Sequence, residues 1–204
     1  MKNIDALIKK ATELKSEGLV EGQISEELNV SGETVTWLLT HADKTSPVPG
    51  PKDISVDWSM IGSSAYRMGH VSQALTNMIF EVLDINEQDA DVVVGIALSG
   101  LPLASLVASY MGVDLAVYMP SKQMVSQGTR AHGNLSANFS DVKDKECVIV
   151  DDVITSGRTI EETVEYLYEH GAKSNAIAVL IDKKGVEQIA GVDVCSLLKV
   201  IRVN

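Results

Sequence analysis

The chain is poor in aromatic residues and cysteine, lacks a long apolar run, and has no excess of positive charge. Each shortage removes a class of protein. Aromatics make up 4% of the 204 residues against 45% hydrophobic, so the apolar material is mostly aliphatic, enough for one good-sized α/β core plus a small appendage. The longest apolar stretch, Val92-Val93-Val94-Gly95-Ile96-Ala97-Leu98, falls far short of the ~20 residues that cross a bilayer. Near the start, Lys2, Lys9 and Lys10 are interrupted by Asp5, Glu13 and Glu17 with no apolar run behind them. That pattern is not a secretory signal, and a cytoplasmic protein without a membrane partner is expected. Cys147 and Cys195 each lie in an apolar, strand-like run without Cys or His at metal-ligand spacing. Zinc is therefore not expected, and both read as buried free thiols. With 17 Lys and Arg against 28 Asp and Glu, a net charge of −11 repels polyanions at long range and argues against indiscriminate nucleic-acid binding.

What is present divides the chain in two. Ile4, Leu7, Ile8, Ala11 and Leu14 recur at helical spacing before Gly18, and further short helices are predicted over residues 21–28 and 32–40. Ser46-Pro47-Val48-Pro49-Gly50-Pro51 follows, with prolines at alternate positions that neither a helix nor a central strand accepts. The expected organisation is an all-α head over 1–45, a Pro-rich linker over 46–53 and an α/β domain over 54–204. Within the last, a helix is predicted over 61–83 and strands over 91–97, 114–118, 146–150, 176–181 and 194–200. Intervening helices are predicted over 101–111 and 159–170, with a shorter one near 185–190. This alternation implies a mainly parallel sheet flanked by helices.

The strongest chemical signal is Cys147-Val148-Ile149-Val150-Asp151-Asp152-Val153-Ile154-Thr155-Ser156-Gly157-Arg158-Thr159. An apolar strand runs into two acids, then a turn of hydroxyls and glycine, then a helix. Free N–H groups and the positive dipole end of a helix bind an anion, and Gly157 lets the backbone approach closely. Thr155, Ser156 and Thr159 add hydroxyl donors, while Asp151 and Asp152 suit sugar hydroxyls or a metal rather than a phosphate. A phosphorylated sugar satisfies both demands. An ordinary strand-turn-helix junction with two acids at a strand end is the other reading of the same residues.

This stretch resembles, nearly position for position, the signature with which type I phosphoribosyltransferases bind 5-phosphoribosyl-1-pyrophosphate (PRPP). The resemblance implies that Asp151 and Asp152 hold the ribose hydroxyls, with Mg²⁺ held through ligand or water. It also implies that Thr155, Ser156, Gly157, Arg158 and Thr159 cradle the 5-phosphate. A second strand-turn-helix, Gly95-Ile96-Ala97-Leu98-Ser99-Gly100-Leu101, resembles the family's pyrophosphate loop. Ala97, Leu98, Ser99 and Gly100 would present backbone N–H groups to pyrophosphate, and a cis peptide bond is often found there in the family.

Within the family the chain is most similar to orotate phosphoribosyltransferase, which transfers phosphoribose from PRPP to orotate in pyrimidine biosynthesis. In those enzymes a lid carrying Arg-Lys, a further Lys and His-Gly supplies cations to departing pyrophosphate. The corresponding residues 118–140 offer only Lys122, Arg130 and His132 with Gly133. Losing one such group typically costs ~10²–10³ in rate, so the departure implies weak catalysis or none; a plain surface connection is the other reading of this stretch. The Asp-Arg pair that would read orotate is matched by Asp182-Lys183, and Lys183 lacks the planar fork of arginine. Ile61-Gly62-Ser63-Ser64-Ala65-Tyr66-Arg67 stands where an orotate-site segment would begin.

In the head, residues 23–39 fit a helix-turn-helix. Small Ser25 permits a close crossing, Asn29 tolerates the left-handed turn position and Ser31 can cap the next helix. Ile24, Leu28, Val30, Val35 and Leu38 are the expected mini-core. Ser31, Glu33, Thr34, Thr36 and Trp37 are the candidate DNA-contacting residues, the last four expected to point outward. A cap for dimerisation, or a cover for the site, is the alternative. Residues 1–45 hold five Lys against eight acids, so DNA attraction needs a local patch such as Lys9, Lys10 and Lys44, or a homodimer presenting two heads. Head and body together resemble archaeal orotate-phosphoribosyltransferase-like regulators of sugar catabolism. That implies a dimeric, DNA-binding transcriptional regulator whose body senses PRPP with Mg²⁺; the alternative is a working orotate phosphoribosyltransferase.

Overall fold

The aliphatic periodicities resolve into two units in a computed structural model that describes residues 4–41, 50–123 and 133–201. The units are Met1–Trp58 and Ser59–Asn204. In the first, α1 (Ile4–Ser16), α2 (Glu21–Leu28) and α3 (Gly32–Thr40) bury Ala11, Leu14, Ile24, Leu28, Val30, Val35 and Leu38 in one small core. Asn29 takes the left-handed conformation after α2 (φ 51°), where its short polar side chain is tolerated. Ser31 caps α3 by accepting from Thr34 N at 3.2 Å. Ser25 does more than permit a crossing: its hydroxyl donates to Val30 O at 2.6 Å and closes the turn.

In the second unit α4 (Ser59–Gly62) and α5 (Ala65–Ile85) replace the single helix predicted over 61–83. The break falls at Ser63-Ser64, where Ser64 Oγ accepts from Arg67 N at 3.4 Å and starts α5 afresh. The strands are β1 (Val92–Ile96), β2 (Asp114–Met119), β3 (Asn134–Leu135), β4 (Glu146–Ile154), β5 (Lys173–Asp182), β6 (Gln188–Ile189) and β7 (Val192–Lys199), with α6 (Gly100–Met111) and α7 (Arg158–Glu169) as crossovers. They form one sheet in the order β3-β2-β1-β4-β5-β7-β6. Neighbours from β2 through β7 are parallel; β3 and β6 close the ends antiparallel.

β1 and β4 sit centrally and are buried almost throughout, as expected of strands covered on both faces. Cys147 and Cys195 are free and buried; burial pushes their thiols up to about 12 and about 11. The helix predicted near 185–190 is absent. Ala190 and Gly191 both adopt positive φ (49° and 79°), making a two-residue hairpin turn that pairs Ile189 with Val192. Among the described residues no helix is long and apolar enough to cross a membrane.

Candidate ligand site and N-terminal head

From β1 the chain passes through α6 to β2 on one side, and from β4 through α7 to β5 on the other. The strand order therefore reverses between the neighbours β1 and β4, and the C-terminal ends of strands at such a reversal form the crevice where α/β sheets bind ligands. Both sequence-predicted loops end up there.

The acids lie within the strand rather than beyond it. β4 continues to Ile154, leaving Asp151 8% and Asp152 5% exposed. Asp152 Oδ1 accepts from Ser99 Oγ at 2.8 Å, and Asp151 Oδ1 accepts from Asp152 N at 2.9 Å. Gly100 lies so close that a Cβ there would stand 2.8 Å from Asp151 Cα and from its Oδ1. The acid pair and the first loop are thus packed together. The Ala97–Leu98 peptide is cis, at the place implied by the resemblance. Ser99 precedes α6 without capping it, its hydroxyl being committed to Asp152.

After β4, Thr155, Ser156 and Gly157 turn the chain. Gly157 is left-handed (φ 83°) and, as the N-cap of α7, brings no side chain to its first turn, so the N–H groups at this helix end suit an anion. Ser156 Oγ accepts weakly from Arg158 N at 3.5 Å. Two helix N-termini, two carboxylates and several hydroxyls therefore converge, a combination suited to a sugar with phosphates at both ends.

Other candidates are less gathered. Lys122 is exposed on the short turn Ser121–Gln123, while Arg130, His132 and Lys44 lie outside the described residues. Lys183 is half-buried, and its N–H donates to Ile154 O at 2.9 Å. Tyr66 is 78% exposed and meets His70 edge-on. Among the described residues no cluster of three or more His, Cys, Asp or Glu is arranged for a metal.

Several organising residues left no trace in the sequence pattern. Glu162 on α7 accepts from Tyr118 Oη, Ser121 N and Ser121 Oγ, each at 2.9 Å. Burial and this carboxylate push the Tyr118 phenol far above its ordinary range. Gln123 Nε2 donates to Ala97 O, tying the end of the turn after β2 to the cis peptide. Asp182, fully buried, accepts from Lys184 N and Gly185 N at 2.8 Å and from Val186 N at 3.1 Å. These partners lie on other elements or across a turn, where no periodicity reveals them.

In the head, two outward expectations are corrected. Thr34 is buried and donates to Asp53 Oδ2 at 2.8 Å. Trp37 is half-buried, stacks on His41 with ring centroids 4.7 Å apart, and holds its indole Nε1 away from solvent. The inward face of α3 takes Thr34, Val35 and Leu38, Asp53 covers Thr34 from the segment that follows, and Gly50 lies against the Trp37 ring. Ser31 also donates its N–H to Asp53 Oδ2 at 2.6 Å. Glu33 and Thr36 remain exposed, and Thr36 Oγ1 donates to Glu21 Oε2 at 3.0 Å. Lys9 and Lys10 both stand 3.9 Å from Glu13, which tempers that basic patch.

Asp53, assigned from sequence to the linker, is therefore structural to the head. Ser55 Oγ donates to Leu28 O at 2.9 Å and Asn29 Nδ2 to Val56 O at 3.1 Å, so residues 53–56 strap the turn between α2 and α3. Asp53→Ala leaves Ser31 N and Thr34 Oγ1 without their acceptor. It is expected to destabilise the head by ~1–2 kcal/mol, read as earlier loss of helical circular dichroism on heating.

Residues 65–190 match the phosphoribosyl transferase domain family. Along the whole of both chains the protein is 74% identical to "Transcriptional regulator GfcR" of Methanothrix thermoacetophila and 53% identical to "Transcriptional regulator GfcR 1" of Methanosarcina barkeri. In fold it is similar to the crystal structure of orotate phosphoribosyltransferase from Aeropyrum pernix, with a TM-score of 0.56 at 21% identity over 74% of this chain and 81% of that one. The parallel sheet with its paired loops is thus that of a phosphoribosyl transferase domain, and along its whole given length, three-helix head included, the chain is similar to GfcR transcriptional regulators; it belongs to both families.

Proposed function

We propose that the chain is a DNA-binding transcriptional regulator of sugar catabolism whose phosphoribosyltransferase-type unit binds PRPP, with Mg²⁺, as an effector rather than a substrate. The observation that carries this reading is the full-length likeness to transcriptional regulators, held by a chain whose ligand crevice keeps its acids and both helix N-termini. The 5-phosphate sits on the first turn of α7, Asp151 and Asp152 take the ribose hydroxyls, and pyrophosphate lies against residues 97–100. Asp151 and Asp152 would hold Mg²⁺ directly or through water, and the ion would supply positive charge to offset that of the pyrophosphate.

The head reads DNA through the exposed side of α3, with Glu33 and Thr36 nearest the bases. α3 itself holds no Lys or Arg, so phosphate contacts fall to other parts of the head and to a second copy in a homodimer. Catalysis is left little to work with: Lys122 stands exposed on its turn and Lys183 replaces a bidentate arginine.

Orotate absorbance followed with purified protein, PRPP and Mg²⁺ separates effector from substrate. The proposal expects PRPP binding by calorimetry without turnover. Turnover in the ordinary enzyme range, roughly 1 s⁻¹ or faster, would make the chain an orotate phosphoribosyltransferase.

A further inference from the structure

The turn after β5 brings a cation to the α7 loop. Ile154 and Asp182, the last residues of β4 and β5, are register partners, so the loop after β4 and the turn after β5 leave the sheet side by side. The second is held rigidly, with Lys183 N donating to Ile154 O and the buried Asp182 carboxylate taking the next three N–H groups, including that of Lys184 at 2.8 Å. From this fixed backbone the Lys184 side chain lies over Gly157. A Cβ on Gly157 would stand 3.1 Å from its Nζ and 3.5 Å from its Cδ.

That is a poor place for a lysine on its own account. Gly157 precedes the first turn of α7, the positive end of the helix, where a cation is disfavoured and an anion favoured. The offset is Glu161, in the same first turn, whose Oε1 is 3.7 Å from Lys184 Nζ. Both side chains are well exposed, 38% and 46%, and an exposed pair at that distance is weak. A phosphate on the helix end would carry more charge than the carboxylate and offer better acceptors, and would compete with Glu161 for the lysine.

We propose that Lys184 is a further binding residue for the phosphate of the sugar ligand and that Glu161 is its competitor, so that the loop selects a phosphorylated over a bare sugar by charge. This rests on the effector reading above, because it assigns the 5-phosphate to the α7 cradle. Lys184 adds a side-chain cation to a site otherwise built from backbone N–H groups, hydroxyls and Arg158. Glu161 makes affinity sensitive to the ligand's charge state.

Calorimetry with ribose 5-phosphate, with PRPP plus Mg²⁺, and with inorganic pyrophosphate tests it on the full chain. Lys184→Gln is expected to weaken ribose 5-phosphate and PRPP on the order of tenfold or more and to leave pyrophosphate unchanged. Glu161→Gln should tighten the first two by about two- to fivefold. Both positions are at the surface, and unchanged thermal unfolding of both variants checks the fold. If wild type binds and Lys184→Gln binds equally well, the assignment of Lys184 fails while the effector reading stands. If wild type binds neither ribose 5-phosphate nor PRPP, both fail.

Discussion

Gly100→Val is expected to destabilise the second unit by about 3 kcal/mol or more and to abolish PRPP binding at any temperature where the variant remains folded. The first added carbon already meets Asp151 Cα at 2.8 Å, Asp151 Oδ1 at 2.8 Å and Val150 O at 3.0 Å. Two of these three are backbone atoms of the central strand, and a packed interior does not yield there as it would around the tip of a long side chain. α6 has to move away from β4, taking with it the Ser99 hydroxyl that reaches Asp152. Stability and binding therefore fall together, a coupling read from the shift in thermal midpoint alongside calorimetry with PRPP and Mg²⁺. Gly95 is subject to the same constraint, since a Cβ there would lie 2.6 Å from that of Ala104 on α6.

The double substitution Asp151→Asn with Asp152→Asn should separate the two effects. An asparagine oxygen still accepts from Ser99 Oγ and from the Asp152 backbone N–H, bonds that join these acids to the loop and to each other. The shape is kept, and the thermal midpoint is expected to stay within a few degrees. The charge is lost, and with it the charge-assisted bonds to sugar hydroxyls and the attraction for Mg²⁺. Each such bond contributes about 1.5–3 kcal/mol, so PRPP affinity is expected to fall by at least about 100-fold. A variant that binds PRPP normally would place the ligand elsewhere in the unit; a variant that unfolds would make the acids structural.

Much of this site is legible in the sequence because its parts are local. Gly157 and the hydroxyls around it, the small residues 97–100, and the alternation of apolar strands with helices all lie on contiguous stretches whose spacing reflects their geometry. The misreadings fall where local pattern and three-dimensional role part. Asp151 and Asp152 read as the end of a strand because buried strand positions are usually apolar, yet β4 runs to Ile154 and buries both against the first loop. The short helix expected near 185–190 gives way to a hairpin, because positive φ at Ala190 and Gly191 turns the chain.

Long-range pairings leave no spacing to read. Asp53 meets Ser31 and Thr34, 22 and 19 residues away, and Glu162 meets Tyr118 and Ser121, 44 and 41 residues away. Thr34 is expected outward from the pattern of α3 alone, which does not contain the segment that covers it.

An effector can shift a DNA-binding equilibrium only through unequal affinity for two states of the protein. The most direct test is fluorescence anisotropy of labelled promoter DNA, from the chain's own gene and from sugar-catabolic genes, titrated at fixed salt with and without saturating PRPP and Mg²⁺. The account predicts sequence-specific binding whose affinity changes by about fivefold or more when PRPP is added, with the change lost in the Asp151→Asn, Asp152→Asn protein. No sequence-specific binding in either condition would contradict it.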